Sequence, residues 1–190
     1  IWAFTIKLKD RVGGSVKVSN REVLVDPWNP VAGSDWTYDA VVYGATFDPV
    51  VLSNPYTGLP MANRIVNAEV EVIRGLPVTK TLDWVSLSFV DSIEVPEDAW
   101  YDWDPNSQKI LTVGEVAPEG VRAKAKVTVD YGDILGNVKY HDGTVMSLAD
   151  WVFHFILTFD RAKEASPVYD EAYVESFESW RNTFCGMRIV

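Results

Sequence analysis

The sequence predicts an α+β fold, a mixed and largely antiparallel sheet with a few packed helices. Two patterns carry that prediction. Residues 121–130 alternate between Val121, Ala123, Ala125, Val127 and Val129 on one side and Arg122, Lys124, Lys126, Thr128 and Asp130 on the other. This is the period of two of a strand with one wetted face, and one-sided burial belongs to antiparallel or mixed sheets rather than to doubly wound parallel ones. Further on, Leu148, Trp151, Val152, Phe155, Ile156 and Phe159 recur at spacings of three and four, the stripe of a helix laid on a core. The middle of the chain is therefore β-rich and its last third helical.

Taken in order, the first element is a strand with Trp2, Phe4, Ile6 and Leu8 on one face and Ala3, Thr5, Lys7 and Lys9 on the other. Gly13 and Gly14 punctuate it, and residues 16–18 and 22–25 read as a hairpin closed around Ser19, Asn20 and Arg21. Pro27 and Pro30 remove amide donors and restrict their predecessors, which makes residues 26–33 an irregular connection. Ser34 can cap a helix over residues 35–47 with Asp35 in its positive first turn, and Asp48-Pro49 ends it. Residues 53–63 are turn-rich, with Asn54, Pro55 and Gly58 placed for a tight turn.

Residues 69–73 and 81–89 have strand composition, and Asp104-Pro105-Asn106-Ser107 reads as a turn leading into a strand over residues 108–113. Ser147, with Asp150 three residues on, forms an acidic variant of the capping box ahead of the long helix. Burying that helix's six apolar side chains is worth about 10 kcal/mol before conformational entropy is charged against it. A second helix is predicted from Ser166-Pro167 through Tyr173, Val174, Phe177 and Trp180 to Phe184, with Gly186 as its stop.

The 190 residues suffice for one sizeable core, so a single domain over 1–190 is the expectation. The first strand lacks a partner in its own neighbourhood, and Met187, Arg188, Ile189 and Val190 begin an apolar strand at the other end. Both features predict a portion excised from a longer polypeptide. The formal net charge of -10 comes from 27 acidic and 17 basic side chains. It argues against nucleic acid as a partner, because a polyanion is repelled.

Candidates for chemistry are sparse. The single cysteine, Cys185, beside Trp180, Phe184 and Met187, can form neither an internal disulfide nor a cysteine-based metal cluster and reads as a buried thiol. The two histidines, His141 and His154, show no ligand spacing, and no nucleophile elbow exposes a serine. His154 follows Asp150 by four residues on the helix, a surface pair, and His141 precedes the turn dipeptide Asp142-Gly143. The glycines fit neither a phosphate-cradling loop nor a dinucleotide fingerprint. No catalytic residue, metal site or cofactor is therefore expected. One cluster stands apart: Glu94, Glu97, Asp98, Asp102 and Asp104 surround Trp100, Tyr101 and Trp103. Acids interleaved with aromatics suit first a solvated loop pinned by its rings, with a sugar-binding or glycoside-hydrolysing cleft as the alternative. For ligand contact the choice falls on Trp36 and Tyr38, where a helix start offers free amides and aromatic faces after the Asn-Pro segment.

The most specific segment is Val138-Lys139-Tyr140-His141-Asp142-Gly143-Thr144 followed by Ser147-Leu148-Ala149-Asp150-Trp151-Val152-Phe153. It resembles the signature of the oligopeptide and dipeptide solute-binding proteins, family 5 of the ABC importer binding proteins, in its histidine, its Asp-Gly turn, its capping hydroxyl and its acid at Asp150. Trp28-Asn29-Pro30 and Asn54-Pro55-Tyr56-Thr57-Gly58-Leu59-Pro60 resemble two further stretches of that family. Tyr140 stands where the family usually has Phe, and residues 76–119 form a longer stretch than the family leads one to expect.

The resemblance implies a periplasmic-binding-protein type II architecture in which two lobes close over a solute. The chain would supply the first-lobe and accessory-domain region of a periplasmic or extracellular, membrane-associated and monomeric protein. Its implied partners are a peptide or oligosaccharide-like solute and the permease subunits of an ABC importer. Every residue of the signature also has a structural role open to it, in a turn or in a helix cap. On this reading the portion does not complete a binding clamp by itself. The other reading is a secreted carbohydrate-binding or glycoside-hydrolase-like module that uses residues 94–104.

Overall fold

The computed structural model describes residues 15, 17, 19, 49–78, 82–140 and 142–190. The expected first strand, the hairpin of residues 16–25, the helix over 35–47, the ligand candidates Trp36 and Tyr38, and His141 lie outside the described residues. The chain divides into two compact units, residues 1–64 and 65–190, and the described residues are α+β.

In the first unit, β1 (Val51–Ser53) pairs antiparallel with β2 (Pro60–Ala62). The turn-rich passage closes this hairpin. Asn54 Oδ1 accepts from the amides of Tyr56 and Thr57 at 2.8 and 3.1 Å. Its backbone carbonyl accepts from Gly58 at 2.8 Å, and Gly58 adopts a φ of 69° that favours glycine. Asn54 thus closes the turn with its side-chain oxygen and its backbone carbonyl together.

The second unit contains a three-stranded sheet in the order β4-β3-β7: β3 (Asn67–Ile73), β4 (Val85–Val90) and β7 (Ala125–Asp130). β3 runs parallel to β4 and antiparallel to β7, so the sheet is mixed. Residues in register share a face. One face therefore carries Ala68, Val70 and Val72 with Val85, Leu87 and Phe89 on one side and Val129, Val127 and Ala125 on the other. The opposite face is polar and includes an ion pair between Lys126 and Glu71.

Burial on the apolar face concentrates on the central strand, where Ala68 and Val72 are enclosed. The expectation that Val127 faces a core is corrected: it is 60% exposed, because nothing among the described residues encloses this part of the face. The predicted strand over 121–130 is also divided. Residues 121–123 bond to Ile93 and Val95, while the part from Ala125 pairs with β3.

The main core lies elsewhere in the same unit. β5 (Trp100–Asp104) and β6 (Lys109–Thr112) form an antiparallel hairpin around the expected Asp104–Ser107 turn. The single helical turn α1 (Val113–Val116) follows, with Glu115 accepting from the Thr112 amide as a capping box. Helices α2 (Leu148–Asp160) and α3 (Glu171–Arg181) complete the set. Trp103, Phe155, Phe159 and Phe177 form the buried centre, ringed by Trp100, Ile110, Ile156, Tyr173, Phe184 and Met187. Phe159 is fully enclosed, with edge-on ring contacts to Phe177, Trp180 and Phe184. The apolar stripe of α2 is buried unevenly: Phe155 and Phe159 are inside, whereas Leu148 is 45% exposed. The 10 kcal/mol expected from six buried side chains is thus an upper bound.

Two expectations about the last helix are corrected. It begins at Glu171 rather than Ser166, because Asp170 is the cap: its Oδ1 accepts from the Ala172 amide and its Oδ2 from Arg161. Ser166 is buried and closes its own turn by accepting from the Val168 amide. Gly186 does not stop the helix, which ends at Arg181 with Asn182 as its C-cap. It is instead a point of close approach, where a Cβ would lie 2.9 Å from Val95 Cγ1, at a φ of 145°. Beyond it, Met187 exchanges backbone hydrogen bonds with Trp100 at 2.7 and 2.9 Å, as an incipient strand should.

Candidate functional site

Two regions hold the polar side chains that the sequence singles out. The first is the hairpin that leads into α2. Lys139 and Val145 face each other as an antiparallel bridge, the Tyr140 amide donates to the Thr144 carbonyl at 2.8 Å, and the Met146 amide donates to the Val138 carbonyl at 2.8 Å. At its tip Gly143 adopts a φ of 89°, which explains the glycine of the Asp-Gly pair. The Asp142 carboxylate accepts from both the hydroxyl and the amide of Thr144. Those two donors, the hydroxyl first, hold its carboxyl below the ordinary carboxylate value.

The chain then enters α2 through Ser147, whose amide donates to Asp150 Oδ2 at 2.7 Å and whose hydroxyl does so at 3.3 Å. Asp150 also engages the Tyr140 phenol, whose pKa is raised first by burial and then by that carboxylate. Tyr131 packs edge-on against Trp151, with ring centroids 4.5 Å apart, on the same helix. The carboxylates of Asp142 and Asp150 each bind groups of their own turn or cap. This arrangement is suited to fixing a chain reversal and a helix start.

The second region is the acidic aromatic stretch. Four of its five acids, all but Glu97, are taken up one by one. Glu94 pairs with Arg122 at 2.8 Å and Asp98 with Arg188 at 3.1 Å. Asp102 pairs with Lys163 at 2.9 Å and also accepts from the Trp103 amide. Asp104 accepts from Ser107 Oγ and the Asn106 amide, and these donors, Ser107 first, lower its pKa.

The rings are engaged too. Trp103 is buried and its Nε1 donates to Asp160 Oδ1 at 2.9 Å. Trp100 meets Phe155 edge-on at 5.3 Å, and the Arg181 guanidinium lies 4.2 Å from the Tyr101 ring centroid. Among the described residues no group of three or more His, Cys, Asp and Glu side chains is placed to hold a metal ion. The stretch is pinned to the core by its aromatics, and salt links to Arg122, Lys163 and Arg188 hold Glu94, Asp102 and Asp98.

Sequence reasoning did not identify Asp160, Lys163 and Arg181 as the partners of this stretch. Asp160, the last residue of α2, takes up Trp103, and Lys163, three residues beyond it, takes up Asp102. For Lys163 the signal in the sequence was complementary charge, which does not choose among partners, and charge does not announce that Asp160 takes an indole N–H or that Arg181 takes a ring face. Arg161, beside them, reaches Asp170 at 2.8 Å and lies 4.2 Å from the Tyr173 ring centroid, so α2 and α3 are clasped by one side chain. Cys185 is half-buried and free, rather than fully enclosed. Among the described residues, no helix is long and apolar enough to cross a membrane.

No protein family, curated protein or solved structure matches this chain.

Proposed function

We propose that this chain is part of an extracytoplasmic solute-binding protein of type II architecture that delivers peptides or similar solutes to an ABC importer, without chemistry of its own. The observation that carries the reading is the module of residues 136–150. A hairpin closes on Asp142-Gly143 and feeds a helix capped by Ser147 and Asp150, which is the role the resembling signature requires of those residues. Further support comes from Asn54, which builds the tight turn expected of the second resembling stretch. The carbohydrate-module reading draws its strength from residues 94–104, and there Glu94, Asp98, Asp102 and Asp104 are bound to bases or to their own turn. A cleft that hydrolyses glycosides needs two carboxyls turned toward one bond.

In this reading the solute contacts come from outside residues 136–150, with Trp36 and Tyr38 as the residues of this chain that touch it. The partners are the solute and the importer's permease subunits, and the location is periplasmic or extracellular, at the membrane. Native mass spectrometry of the intact polypeptide that carries this sequence, mixed with di- to octapeptides and with oligosaccharides, tests it. Peptide adducts whose peptide mass is unchanged support the reading. Absence of peptide adducts together with shortened oligosaccharides would overturn it.

A further inference from the structure

We draw no further inference here: the strongest candidate, the apolar face of the three-stranded sheet with Val70, Leu87, Phe89, Val127 and Val129, is a surface patch for which nothing in the structure shows what covers it.

Discussion

The indole Nε1 of Trp103 donates to Asp160 Oδ1 across 2.9 Å and 57 residues of sequence, joining strand β5 to the last turn of α2. The ring itself is buried against Phe155, Phe159 and Phe177. The bond therefore lies at the rim of the main core, where a charged acceptor meets a donor that has no other polar outlet. Trp103→Phe keeps an aromatic ring and removes this donor. It should lower the unfolding free energy by about 2–4 kcal/mol, combining a lost bond to a charged group with lost ring volume. Asp160→Asn keeps an acceptor oxygen and should cost about 1 kcal/mol. Urea denaturation followed by circular dichroism reads both, and equal midpoints for Trp103→Phe and the unaltered protein would refute the role given to this bond.

Gly186 lies where the chain passes close to Val95 and Ala99. Gly186→Ala puts a methyl 2.9 Å from Val95 Cγ1 at a φ that side chains rarely adopt, so it should destabilise by about 1–3 kcal/mol. Shortening the neighbour relieves the clash but not the backbone strain. In a double-mutant cycle, Val95→Ala should therefore recover part of the loss, with a coupling of about 1 kcal/mol. Strict additivity of the two substitutions would mean that the close approach is not what selects glycine.

Acid sensitivity follows from the carboxylates bound within turns and caps. Asp170 is held below its ordinary value of 3.8 first by the Arg161 hydrogen bond, against a smaller opposing effect of burial. Asp104 and Asp142 are lowered by hydroxyl and amide donors in their own turns. A carboxyl whose pKa is depressed by folding stabilises the native state above its unfolded pKa, and that contribution disappears as pH falls through the folded value. The melting temperature should thus be nearly level from about pH 7 to 5 and should fall below about pH 4. Asp170→Asn keeps the cap acceptor and loses the ion pair, so its melting temperature should drop less between neutral and acid pH. Calorimetric scans at pH 7 and pH 3 compare the two proteins, and an undiminished acid drop in Asp170→Asn would contradict the assignment.

Local chemistry was legible in the sequence, and distant choices were not. Asn54, Asp104, Asp142 and the Ser147/Asp150 pair act on atoms within three residues of themselves, so residue type and spacing suffice to read them. Ser166 and Asp170 are both plausible caps by type. Asp170 prevails where Arg161 folds back onto it, a contact that no local pattern records. Gly186 reads as a helix stop until Val95 is found beside it.

From Ala125 on, the alternation read in residues 121–130 gave the correct faces, with Val127 and Val129 on the apolar side. Alternation identifies which side chains share a face, but how deeply that face is buried depends on what lies over it. The same limit held for residues 94–104. Their composition announced acids among aromatics, while the partners that occupy them, Arg122, Lys163 and Arg188, arrive from elsewhere in the chain.

In the function proposed above, residues 136–150 form scaffold in a protein that binds its solute without altering it. Isothermal titration of the intact polypeptide with peptides, alongside its Asp142→Ala variant, tests this most directly. The account predicts saturable peptide binding with a dissociation constant in the micromolar range or tighter, unchanged in Asp142→Ala even though that variant melts at a lower temperature. Loss of binding in a still-folded Asp142→Ala protein, or no heat with any peptide, would contradict it.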